Sequence, residues 1–192
     1  QERIHRDLYG VEEAIDETPE FLESKLEEFE NELLGLNDVV KKAYYVATKL
    51  ERAETNYVLS RKFRLIFLRT ESFDAKKAAL RYTRYLTEKR DLFGDEVLPR
   101  RITQDDLYRK TDKEVLLSGF CCITGEKDTA GRLIAFCRRN IVFGLDVHSM
   151  VRVISYLFQL AIENNEEVQQ KGLVIFAFNV GVQHVQWSSK FR

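Results

Sequence analysis

The sequence predicts a mixed α+β or α/β protein in which an N-terminal helical bundle precedes a partial mixed β-sheet with a long crossover helix. From Leu22 to Leu86, apolar residues recur at helical spacing. Past Pro99 they contract into short runs, Leu116 to Ile123 and Leu133 to Cys137, separated by the turn-rich TGEKDTAGR. A long apolar-striped segment, Asp146 to Gln170, then leads to the continuous run Leu173 to Phe178. Leu133 to Phe178 therefore reads as β-α-β with a right-handed parallel crossover. The expected organisation is a polar segment over 1–17, a helical domain over 18–110 and an α/β domain over 111–192.

Each element has a local reason. Thr18-Pro19 reads as N-cap and first helical residue, because proline's missing N–H is an orphan there in any case. Leu22, Leu26, Phe29, Leu33 and Leu36 then form one stripe while the glutamates face water. Gly35 and Asn37-Asp38 supply a break and a new cap before Val39, Val40, Ala43, Tyr44, Ala47 and Leu50 repeat the pattern. In Leu59 to Arg69, Leu59, Phe63, Ile66 and Phe67 share a face that Leu65 and Leu68 widen, which marks a core helix. Asp74 offers a carboxylate to the next helix, with Phe73 expected to staple onto Ala78. There Ala78, Tyr82, Tyr85 and Leu86 point inward, until Phe93-Gly94 ends the element.

Composition excludes several function classes. The 192 residues are 44% hydrophobic with a net charge of −1, so the chain has no global field for nucleic acid. Charge is nonetheless uneven: residues 61–110 hold fourteen Lys or Arg against eight acids, a run that solvated helix faces explain and that anionic lipid headgroups would also suit. No uncharged apolar run reaches transmembrane length, and no secretory leader is visible. Cys121, Cys122 and Cys137 make a poor disulfide framework, which fits a reducing, intracellular setting, cytoplasmic or peripheral at membranes. GEKDTAGR lacks P-loop spacing, and no arginine stands six positions after a cysteine as a cysteine phosphatase requires. His5, His148 and His184 have no metal spacing. No catalytic residue, metal or cofactor is assigned, and the expectation is a non-enzyme.

Strand parity sorts the sheet residues. Ile123, Ile134, Phe136, Val174, Phe176 and Phe178 are expected on one face, beneath the long helix. Cys122, Thr124, Leu133, Ala135, Cys137, Leu173, Ile175 and Ala177 fall on the other. Side chains this slim leave volume that either closely approaching helices or a ligand must fill.

The stretch FLRTESFDAKKAALRYTRYL resembles the paired-helix signature of the CRAL-TRIO, or Sec14-like, family, with a Phe-Leu-Arg helix end and a Phe-Asp cap. Asp128, Gly131 and Arg132 are similar to that family's Asp-x-x-Gly-Arg turn into a strand, with Leu133 in place of the usual proline. Phe178-Asn179 stands where members commonly have Asp-Leu. The resemblance covers about residues 38–192 and implies a protein that binds and transfers or presents one hydrophobic lipid between sheet and helices, meeting a membrane surface transiently. On this implication the slim face is the ligand-binding set, and Arg132, Arg138 and Arg139 are candidates for a headgroup or membrane phosphate. Leu173 and Ile175 occupy the strand where phosphatidylcholine binders carry hydroxyls, which argues against that lipid. A protein- or membrane-recruiting module is the alternative. The family's fold has more strands than this chain supplies, so a longer protein with this N-terminal portion is expected.

Overall fold

A left-handed turn explains why the chain stops one helix at Thr70 and starts another at Ala75. Ser72 and Phe73 take φ of 49° and 62°, which side-chain-bearing residues seldom adopt. The turn is held because the Phe73 N–H donates to Leu68 O at 2.7 Å and its buried ring meets Phe21 edge-on at 4.9 Å. The computed structural model describes residues 15–50, 56–138, 141 and 144–178. Among them are seven α-helices and one three-stranded sheet.

The helical half comprises α1 (Pro19–Gly35), α2 (Lys42–Leu50), α3 (Arg61–Thr70) and α4 (Ala75–Phe93). Hydroxyl and carboxylate caps start three of them: Thr18 accepts from Phe21 N–H, Ser60 from Phe63 N–H and Asp74 from Lys77 N–H. The apolar stripes converge on Tyr82, whose ring lies 5.3 Å from Phe67, 5.5 Å from Phe29 and 6.1 Å from Phe63. These contacts are edge-to-face, the arrangement the ring quadrupole favours. The Tyr82 hydroxyl donates to Val58 O at 3.0 Å, so the core buries no orphan donor there.

The second half is α5 (Lys110–Ser118), β1 (Cys121–Lys127), β2 (Leu133–Arg138), α6 (Val147–Glu163), α7 (Glu166–Lys171) and β3 (Leu173–Phe178). β1 pairs antiparallel with β2, and β2 parallel with β3, in the order β1-β2-β3. Two expected boundaries change. Leu116 to Ser118 ends a helix rather than beginning a strand, because Gly119 at φ 61° closes α5 in the left-handed region. The expected single helix from Asp146 breaks at Asn164-Asn165, where the Asn165 side chain accepts from Val168 N–H and starts α7 anew.

Buried polar groups bind the halves together. Arg152 of α6 meets Asp112 of α5 at 3.1 and 3.2 Å, donates to the carbonyls of Leu92 and Asp106, and stacks 4.3 Å over Phe93. Both partners of this ion pair are fully buried. Gln159 exchanges two hydrogen bonds with the backbone of Ile102. Arg69, the arginine of the Phe-Leu-Arg helix end, is spread between Glu17, Gln169 and Glu166.

Candidate functional site

The β1–β2 turn is built by one carboxylate. Asp128 accepts from the N–H groups of Ala130 and Arg132 through one oxygen and from the Arg132 guanidinium through the other. Burial raises its pKa, but the Arg132 guanidinium and these amides outweigh that and hold its carboxyl below the usual range. Gly131 is favoured by its φ of 81°, and a Cβ there would push aside the flexible ends of Glu167 and Lys171, each 2.7 Å away. Glu167 bonds Lys127 and Lys171 together, so α7 is docked onto the turn.

The register decides which residues share a face. Cys122 lies opposite Phe136 and Ile123 opposite Ala135, while β2 and β3 align Leu133 with Leu173, Ala135 with Ile175 and Cys137 with Ala177. Leu133, Ala135, Cys137, Leu173, Ile175 and Ala177 therefore sit together as predicted. Cys122 and Thr124 do not: they belong to the Phe136 face, and Ile123 belongs to the slim one. Parity within one strand cannot reveal the register between two, which here includes an irregularity between Ile123 and Lys127 around Gly125. Thr124 spends its hydroxyl there, donating to Ile134 O.

The occupant of each face is also the reverse of the expectation. The slim face takes the crossover helix: Cys121 and Cys137 pack with Met150 and Val153 of α6, and Leu133 and Ala135 are buried. The helix therefore meets this face at the Cys121–Cys137 end, and the side chains of Leu133 and Ala135 beside it are withdrawn from solvent. Farther out, Leu173 is half-buried and Ile175 and Ala177 are exposed. The aromatic face stays open. Phe176 is 51% exposed and Phe178 43%, with Ile134, Phe136 and Val174 half-buried beside them. Phe136 and Phe178 stack at 6.2 Å.

The candidate phosphate-binding arginines have structural partners. Arg132 closes the turn on Asp128, and Arg138 donates to the carbonyls of Ser118 and Gly119 at the end of α5. Arg139, Asn179, His5 and His184 lie outside the described residues. His148 sits in the first turn of α6, its Nδ1 2.9 Å from an Arg109 nitrogen.

A concavity missed by sequence reading is a cleft of about 640 Å³ between α3 and α4 on one side and α6 on the other. Phe67, Leu80 and Tyr85 face Phe158 and Ile162 across it, with Tyr57 and Glu163 also in its lining. Burial raises the Tyr57 and Tyr85 phenols, and the neighbouring Glu163 carboxylate adds to the effect, so both stay protonated. Several of the charged groups in its lining are paired: Arg81 with Glu71, Lys77 with Asp74, and Glu163 with Arg101 outside it. The signal that could have found it is the double-sided apolar character of α3 and α6. Among the described residues no three His, Cys, Asp or Glu side chains converge as a metal site, and no helix is long and apolar enough to cross a membrane.

No protein-family model matches the chain, and no curated protein matches it.

Proposed function

We propose that this chain binds a single hydrophobic lipid molecule against the aromatic face of its sheet, and that it carries or presents that lipid inside the cell, meeting membranes transiently, without transforming it. The exposure of Phe176 and Phe178 beside Phe136, Ile134 and Val174 carries the reading. A contiguous open apolar face supports a binding surface, since water contact there is costly. Covering the exposed part of each ring is worth on the order of 1 kcal/mol, so several rings together give useful affinity for an acyl chain or polyprenyl-like body. The resemblance of the Phe-Leu-Arg helix end and the Asp128 to Arg132 turn to Sec14-like proteins supports the same reading. So does the packing of α6 on the opposite face, which leaves the aromatic face unpartnered by that helix.

Native mass spectrometry followed by organic extraction tests this on protein expressed from the complete gene. One co-purifying lipid per chain is expected. Protein that is lipid-free and takes up no lipid from mixed phospholipid vesicles overturns the reading, and if that empty protein captures a protein partner, the recruiting-module alternative replaces it.

A further inference from the structure

Cys121 and Cys137 lie directly opposite each other on β1 and β2. The Arg138 N–H donates to Phe120 O at 2.7 Å, which places the two cysteines at a position between ladder hydrogen bonds, where antiparallel strands bring side chains closest. Their sulfurs are 3.3 Å apart, and all three cysteines are free thiols. Cα atoms in such pairs stand about 4.5 Å apart, within the roughly 4.4–6.8 Å that a disulfide spans, so a bond needs side-chain rotation and little backbone movement.

We infer that Cys121 and Cys137 form a reversible dithiol–disulfide pair, closed by exchange with a low-molecular-weight disulfide of the glutathione disulfide class. Cys137 is the entry point, because it is half-buried beside the exposed Arg138, whereas Cys121 is buried. Burial, with the adjoining Cys137 sulfur, pushes the Cys121 thiol up to about 12, so it is a poor first nucleophile. The Cys137 thiolate attacks one sulfur of the small disulfide, forming a mixed disulfide and releasing one small thiol. Cys121 then attacks the Cys137 sulfur, its proton passing to the departing small thiolate. The two protein thiols are oxidised and the small disulfide is reduced to two thiols, with no other reactant. Proximity compensates for the weak second nucleophile, since the sulfurs are already in contact. Cys122 belongs to the opposite face and is excluded from the pair. The bond ties β1 to the central strand immediately behind Cys122 and Phe136, and so fixes the hairpin that presents the aromatic face.

The test exposes the folded chain to glutathione disulfide, quenches with iodoacetamide and maps peptides by mass spectrometry. The expected product is a Cys121–Cys137 cross-linked peptide pair lighter by two hydrogens, reversed by dithiothreitol, in wild type and in Cys122→Ala alike. In Cys137→Ser, Cys121 is expected to remain alkylatable. Recovery of both cysteines as alkylated peptides after exposure overturns the inference. So does a dominant link through Cys122, or a wild-type yield of the 121–137 pair no greater in the folded protein than in urea.

Discussion

Aromatic residues serve opposite ends in the two halves. Around Tyr82 the rings of Phe29, Phe63 and Phe67 are buried edge-to-face, whereas Phe176 and Phe178 on the sheet stand about half in water. In the first setting aromatic area stabilises the fold. In the second it contributes little to the fold and is available to a partner. The difference follows from what each element can pack against: α1, α3 and α4 bury their stripes on one another, but α6 covers only one face of the sheet.

Removing material from each side of this comparison should separate stability from binding. The largest effect is expected at Tyr82→Ala, which empties the centre of the helical core and costs about 3–5 kcal/mol, read from the urea midpoint at unchanged slope. Asp112→Ala follows closely at about 3–5 kcal/mol, because it leaves the fully buried Arg152 guanidinium without its carboxylate. Tandem replacement of both by apolar residues should recover much of that loss.

Acid gives a smaller effect with a defined sign. Burial disfavours ionisation of Asp106, but the Arg100 guanidinium and the Thr103 N–H and hydroxyl outweigh it and hold the carboxyl down to about 2. The unfolded chain, titrating near 3.9, binds the proton first, so this stabilisation is present above about pH 4 and is lost as pH falls through 2. Asp106→Asn should remove roughly 1–2 kcal/mol at neutral pH, discounted because Arg100 is partly solvated, and should flatten the stability profile between pH 4 and 2. The smallest stability change, about 1 kcal/mol from the buried half of the ring, is expected for Phe176→Ser, and the same variant should lose about tenfold in lipid affinity.

Much of this was legible in the sequence because caps act locally. Thr18 and Asp74 start helices where their side chains predict, and the β2-helix-β3 order follows from run lengths. Two local signals were outvoted by apolar runs: Leu116 to Ser118 looked like the start of a strand although Gly119 closes a helix, and Asn165 restarts a helix inside an apparently continuous one. The candidate site was only partly legible for a nonlocal reason. Parity grouped Leu133, Ala135 and Cys137 with their β3 partners, but the alignment of β1 depends on the Asp128 to Arg132 turn and the irregularity near Gly125. The rule that bulky apolar residues go inside assigned Phe176 and Phe178 to the helix, whereas α6 packs on the slim side, at Cys121 and Cys137.

Photocross-linking decides between the two concave or open surfaces most directly. A phospholipid with a diazirine in its acyl chain is loaded into the protein, irradiated, and the adducts are mapped by tandem mass spectrometry. The account predicts adducts on Ile134, Phe136, Val174, Phe176 and Phe178. Adducts confined to the cleft at Leu80, Phe158 and Ile162, or an absence of specific adducts, would contradict it.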